Sequence, residues 1–328
     1  MNILLLGKTG GITHWVEDVA ADIRIAGHTV TIVPTRNPRL SKSLEQALLS
    51  PAIGAPLARW MVRQLRRLSP DLVLAVGALD QFPRIIFEHL AQVANRPPLI
   101  AWIGDVFTEQ AAGIADLFDI VAYTDTGLLA LHNRFGFRST GAFVALGATR
   151  AVRPSSATAA RIPDLAFIAG VTPNRRELLA DVTEPIAIFG PGWQHAHELA
   201  HHKRDARRID EWELADIYAR HIAILNIRNG RYVINGLNQR HFAPYIHGTP
   251  VVSDVQADIP HCFDPGTEIL VYRDAAELND LYAALRRDRQ RATAIGLAGQ
   301  RRVLAHHTYA HRLDTIAALA GITTARTH

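Results

Sequence analysis

The chain has 328 residues, 48% hydrophobic and 20% charged, with a formal net charge of +4 and a pI near 9.4. That composition excludes wholesale disorder, and at roughly 100–200 residues per domain the length predicts about two domains. No apolar run approaches the roughly 18–20 residues that span a bilayer. Cys262, the sole cysteine, excludes an intramolecular disulfide.

Met1-Asn2-Ile3-Leu4-Leu5-Leu6-Gly7 reads as a first strand, not a signal peptide, so a cytoplasmic location is the expectation. After it come Gly7-Lys8-Thr9-Gly10-Gly11 and a helical pattern in which Trp15, Val19 and Ile23 share one face. Gly27-His28 closes that helix, and Thr29–Val33 is a second strand. Further strands are predicted at Leu72–Val76, Leu99–Ile103, Asp119–Tyr123 and Phe143–Leu146. Arg153-Pro154-Ser155-Ser156-Ala157-Thr158 reads as a linker. The alternation then restarts, with strands at Leu165–Ala169, Ile186–Phe189, Ile222–Asn226, Val251–Ser253 and Ile269–Tyr272. Helices are predicted at Arg175–Asp181, 210–220, 238–246 and over most of 275–320. Two successive α/β units predict two Rossmann-like domains facing each other across a cleft. Ligands bind such sheets at the carboxyl ends of their strands.

The mild basic charge fits an anionic partner: a nucleotide diphosphate, a lipid phosphate or a nucleic acid. Lys8, Lys42 and Lys203 are the only lysines, however, and an Arg-rich chain can reflect genome composition alone.

The second half carries an ordered series of short motifs. Asp164–Gly170 leads into Thr172-Pro173-Asn174-Arg175-Arg176, followed by Ile188-Phe189-Gly190-Pro191-Gly192-Trp193. Ile224-Leu225-Asn226-Ile227-Arg228 precedes Gly236-Leu237-Asn238-Gln239-Arg240-His241-Phe242. Gly248-Thr249-Pro250-Val251-Val252-Ser253-Asp254 and Phe263–Asp274 complete it. In order and spacing, residues 164–315 resemble the donor domain of the CgeB-like glycosyltransferases, in the group 1 glycosyltransferase clan. The first half resembles that family's acceptor domain only in its general α/β pattern.

The resemblance implies a GT-B fold and transfer of a sugar from a nucleotide-sugar to an acceptor: a polysaccharide, protein, lipid or nucleic acid. It implies an acceptor-side domain over 1–155, a nucleotide-sugar-binding domain over 156–300, and a closing helix within 301–328 that packs back on the first domain. It implies no obligatory metal and no cofactor beyond the donor, because Arg side chains and helix N-termini stabilise the diphosphate leaving group. Arg175, Arg176, Arg228, Asn238 and Arg240 stand at strand ends or helix starts, where phosphate contacts belong. Gly10 and Gly11 let backbone approach a ligand. His14 and Asp105, each beyond a first-half strand, are the candidate catalytic groups; Asp105 could orient an acceptor hydroxyl, act as base, or simply cap a helix. One position departs from the family: Ala243 stands where a Glu usually follows the Phe of Arg-x-Phe-Glu. His241 and His247 are candidates to replace its contact.

Three other readings compete. A dinucleotide-dependent oxidoreductase needs G-x-G-x-x-G after strand one and an acid ending strand two, and neither is present. His197-Glu198-Leu199-Ala200-His201 matches the H-E-x-x-H of zinc proteases, which requires both imidazoles on one helix face. Ala243 motivates a third reading, a non-catalytic nucleotide-sugar binder.

Overall fold

The computed structural model describes residues 1–9, 15–36, 51–151 and 161–323. Gly10, Gly11, His14 and the linker 153–158 lie outside the described residues. The chain divides into two compact units. The first is Met1–Leu146 with Tyr232–Gly236 and Tyr309–His328; the second is Gly147–Arg231 with Leu237–Thr308.

In the first unit, β1 (Asn2–Lys8), α1 (Trp15–Ile25) and β2 (Thr29–Arg36) begin an α/β alternation. It continues through α2 (Pro51–Leu68), β3 (Leu72–Gly77), α3 (Arg84–Ala91), β4 (Leu99–Ile103), β5 (Ile120–Tyr123), α4 (Thr126–Phe135) and β6 (Thr140–Phe143). The six strands are parallel in the order β2-β1-β3-β4-β5-β6. The four leucine and isoleucine side chains of β1 are fully buried, as a strand covered on both faces requires. A Cβ at Gly7 would stand 2.6 Å from Val16 Cγ2 and 2.8 Å from the Val76 carbonyl, so glycine is what lets α1 pack onto the end of β1. On α2, Ala58, Met61 and Leu65 repeat at helical spacing and enter the core.

The expected strand at 143–146 is displaced: β6 ends at Phe143. Val144 still donates its N–H to Tyr123, but its carbonyl takes the Trp102 indole N–H at 2.8 Å, so the chain leaves the sheet edge there.

Asp125 caps α4 and does more. Its buried carboxylate accepts the N–H groups of Gly127 at 2.7 Å and Leu128 at 3.3 Å, and also those of Ile234 at 2.8 Å and Asn235 at 3.1 Å. Asn235 Nδ2 reaches Thr126 Oγ1, and the Tyr232 carbonyl accepts from Val106 N–H. A Cβ at Gly236 would meet Asp125 Cβ at 2.6 Å. Residues 232–236 are thus a strap of the first unit. The helix α9 (Tyr309–Leu319) also belongs to it: Ala310 N–H donates to Asp22 at 2.7 Å, and Tyr309 packs edge-on against Trp102.

The second unit repeats the alternation with β7 (Ile162–Ile168), α5 (Pro173–Ala180), β8 (Ala187–Phe189), β9 (Lys203–Asp205), α6 (Glu211–Arg220), β10 (His221–Asn226), β11 (Val251–Asp254) and β12 (Leu270–Tyr272). α7 (Ala275–Arg287) and α8 (Arg289–His306) follow. The parallel order is β12-β11-β10-β7-β8-β9. The chain runs outward from β7 to β9, then returns to place β10 beside β7, so the order reverses between those two strands. Gly190-Pro191-Gly192-Trp193 closes the end of β7: both glycines have positive φ, 125° and 95°, and the buried indole donates to the Ala169 carbonyl at 2.7 Å.

The predicted helix over 238–246 is two short turns, 239–241 and Ala243–Ile246, broken at Phe242. Pro244 sits in the first turn of the second piece, where its missing N–H is tolerated, and supplies no N–H to carry the first piece onward. The edge strand β9, Lys203–Asp205, carries no apolar residue and so gives no strand signal in the sequence.

Replacing Asp125 with Ala removes a helix cap worth about 1 kcal/mol and leaves further buried N–H groups unpaired at about 1–3 kcal/mol in total. We expect a loss of about 2–4 kcal/mol in denaturant unfolding; a loss within error of zero contradicts the strap's role.

Candidate functional site

In the second unit the carboxyl ends of β7 and β10 flank the reversal of strand order, where open α/β sheets bind ligands. Arg175 bridges those ends from the first turn of α5. Its Nη1 donates to the Gly170 carbonyl at 2.9 Å, and its Nε and Nη2 donate to the Ile227 carbonyl at 3.2 and 3.0 Å. The guanidinium lies over the Phe167 ring. Burial pulls its pKa down to about 10, and the nearby charge of Arg240 adds to the effect. Thr172 occupies the N-cap of α5 but does not cap it; its hydroxyl turns to Asn174 Oδ1 at 2.7 Å, leaving the helix N-terminus without a side-chain acceptor. Asn174 Nδ2 donates to the Arg228 carbonyl.

Asn226, the last residue of β10, is fully buried and organises the opposite wall. Its Oδ1 accepts from Arg240 Nε at 3.2 Å and from Asn238 Nδ2 at 3.1 Å. Its Nδ2 faces the His241 ring nitrogens at 2.9 and 2.8 Å. Asn238 caps the 239–241 turn by accepting from Arg240 N–H at 2.9 Å, while its own N–H reaches His241 Nδ1 at 3.1 Å. His241 Nε2 lies 2.9 Å from Ser253 Oγ, which donates to the Asp254 carbonyl. This pattern fits a neutral imidazole carrying its proton on Nε2.

The charges are unevenly satisfied. Among the described residues no carboxylate lies within ion-pair distance of Arg175 or Arg240, and burial lowers the Arg240 pKa. Arg228 is half exposed and lies 3.6 Å from Asp254, whose Oδ1 also accepts Arg228 N–H. Burial raises the Asp254 pKa nonetheless. Gln256 is buried and donates to Asp254, while its Oε1 has no partner.

Of the expected donor contacts, Arg175, Arg228, Asn238 and Arg240 therefore converge on the end of β10. Arg176 does not join them through its side chain; it pairs with Glu198 on the surface at 2.6 Å. Asn226, Asp254 and Gln256 complete the group and were not among the expected contacts. Neither histidine stands free to replace the missing acid: His241 is locked into the Asn226 network, and His247 lies beside Tyr218 with its pKa lowered by burial. Ala243 packs with Ile217, Tyr218 and Ile224 against the α6 side of the sheet.

The zinc motif does not form its site. His197–Leu199 is a 3-10 turn rather than part of an α-helix, Glu198 is taken by Arg176, and His201 Nε2 meets the Val182 carbonyl at 2.9 Å. Among the described residues no group of three or more His, Cys, Asp or Glu could hold a metal ion.

In the first unit Asp105 follows β4 at its carboxyl end, partly buried and without a hydrogen-bond partner among the described residues. Thr108, not Asp105, holds the N-cap position of the next turn, so the capping role falls away. Burial raises the Asp105 pKa. Trp15 lies against Gly104, where a Cβ would meet its ring at 3.1 Å.

Burial drives the His241 pKa down to about 3. The unfolded chain, with an ordinary histidine, takes up a proton as pH falls through about 6.5 while the folded chain refuses it. Stability from this group is full above that pH and is lost on acidification at up to about 1.4 kcal/mol per pH unit. Denaturant unfolding between about pH 7 and 5 should therefore show a shallower slope for His241→Gln than for wild type. Equal slopes contradict the neutral assignment.

Comparison with known proteins bears on the fold and on the second half of the chain. Residues 174–318 match the family model described as glycosyl transferase-like. The structure of sucrose-phosphate synthase from Thermosynechococcus elongatus superposes with a TM-score of 0.67 at 13% identity, over 97% of this chain and 98% of that one. Anabaena HepE in complex with UDP and glucose gives 0.65 at 14% identity, over 98% and 99%. A glycosyltransferase from Rickettsia africae gives 0.64 at 10% identity, over 97% of each. No curated protein sequence matches the chain. The chain has the GT-B fold, and residues 174–318, which supply most of its candidate site, are similar to the glycosyl transferase-like family.

Proposed function

We propose that this protein is a glycosyltransferase that takes a sugar from a nucleotide-sugar donor, with the diphosphate seated where β7 and β10 end. One observation carries the reading. Two arginines, Arg175 and Arg240, are fixed by neutral partners and lack a paired carboxylate among the described residues, beside an uncapped helix N-terminus. Desolvated, like-charged guanidinium groups are costly unless an anion completes them. Arg240 and Arg228 supply the direct phosphate contacts together with the N–H groups opening α5; Asn238 and Arg175 position them. Arg176 contributes by exchanging Glu198 for a phosphate oxygen. Asp254 and the Gln256 carbonyl, with no acid at position 243, hold donor hydroxyls. The HepE structures with UDP and with UDP-glucose show that this fold accommodates such a donor in that protein.

As the donor bond breaks, negative charge grows on the departing diphosphate. Preorganised guanidinium and helix-end donors stabilise that charge without reorganising, so no metal is obligatory. Asp105, whose carboxylate burial holds above the usual range, serves as the base that orients and deprotonates the acceptor hydroxyl. Gly10 and Gly11, as backbone contacts to the donor or acceptor, and His14, as a second catalytic candidate, enter the same proposal by sequence position alone.

The test is nucleotide release from a panel of nucleotide-sugars, with and without chelator. Arg240→Ala should lower kcat/KM for the preferred donor by about 30–100-fold, the value of a charged hydrogen bond. Asp105→Asn should lower kcat by at least about 100-fold with donor KM unchanged, and should abolish an acidic limb lying above the ordinary aspartate pKa. Loss of wild-type activity on chelation contradicts the metal-free mechanism. Donor binding without turnover for any acceptor favours instead the non-catalytic binder that Ala243 suggests.

A further inference from the structure

The outward face of α2 has no role in the donor site, and its chemistry is distinctive. Arg59, Arg63, Arg66 and Arg67 are all exposed, and Pro51–Leu68 contains no Asp or Glu. At 100° per residue the four arginines fall within one arc of about 100°. Trp60 at 38% exposure and Leu57 at 39% border that arc on one side, with Pro56 inside it. Among the described residues none of the four arginines has a carboxylate partner, in contrast to Arg84 on α3, which pairs with Glu88. Arg66 and Arg67 lie in the last turn and offset the helix dipole, but Arg59 and Arg63 lie mid-helix and gain nothing from it.

A row of exposed arginines bordered by exposed tryptophan and leucine is the chemistry of an interface between anionic headgroups and acyl chains. We propose that this face of α2 docks the protein on an anionic lipid surface, with the arginines on headgroup phosphates and Trp60 and Leu57 entering the headgroup layer. Charge complementarity selects this occupant, and the apolar border favours a bilayer over a nucleic-acid backbone, which offers nothing for leucine to enter. No described helix is long and apolar enough to cross a membrane, so the attachment is peripheral. The proposal is independent of the donor reading.

The test uses the full chain in vesicle sedimentation, with phosphatidylcholine alone and mixed with phosphatidylglycerol. Binding should require phosphatidylglycerol and weaken with salt. An arginine near an anionic surface contributes about fivefold in affinity, so Arg59→Ala/Arg63→Ala should bind roughly 30-fold more weakly. Alanine suits mid-helix positions, and an unchanged thermal midpoint confirms folding. Trp60→Ala should remove the binding that survives added salt. No binding to mixed vesicles, equal binding to both vesicle types, or full binding by the double variant overturns the proposal. RNA binding that depends on the same arginines, with none to vesicles, overturns it in favour of nucleic acid.

Discussion

The second unit depends on one buried amide. Asn226 ends β10 beside the point where the strand order reverses, and it is wholly removed from solvent. Arginine Nε can only donate, so the contact with Arg240 fixes which end of the amide is oxygen. The nitrogen must then face His241, and the imidazole must be neutral to accept it. His241 in turn receives the Asn238 N–H, and Asn238 caps the turn that carries Arg240. A closed polar circuit of this kind tolerates no half-measures, because each unpaired member would cost the desolvation of a buried polar group.

That circuit holds positive charge where a carboxylate would ordinarily neutralise it. Arg175 spends its donors on the carbonyls of Gly170 and Ile227, which tie the two strand ends together, and among the described residues no carboxylate pairs with it. Asp254 acts on both Arg175 and Arg240 from beyond ion-pair distance and already serves Arg228. The open N-terminus of α5 adds its partial positive charge to the same region. That surplus of positive charge is what motivates the anionic ligand of the proposed function, and the glycosyl transferase-like match over residues 174–318 covers these elements from Asn174 onward.

Much of this was legible in the sequence where local signals are strong. The apolar runs of β1, β4 and β10 are buried on both faces, and the strand-then-helix position of Asn174-Arg175-Arg176 is as expected. What escaped depends on non-local pairing. Asn226 reads as an ordinary strand-end residue, and only the fold shows that three side chains meet on it. Arg175 and Arg176 are neighbours with equal claims in sequence, yet helical geometry buries one and leaves the other on the surface with Glu198. The strap at 232–236 was invisible because its anchor, Asp125, lies over a hundred residues away and looks like a plain helix cap. The H-E-x-x-H spacing misled in the opposite sense, since its meaning requires an α-helix that the chain does not form there.

Nucleoside diphosphate titration by calorimetry, with metal chelated, tests the central claim most directly. The account predicts selective binding of one nucleoside diphosphate at one site, weakened by salt and strongly reduced when Asn226 is replaced by a folded Asn226→Leu variant that retains the Arg240 side chain but not its support. A folded wild-type chain that binds no nucleotide at all would contradict it.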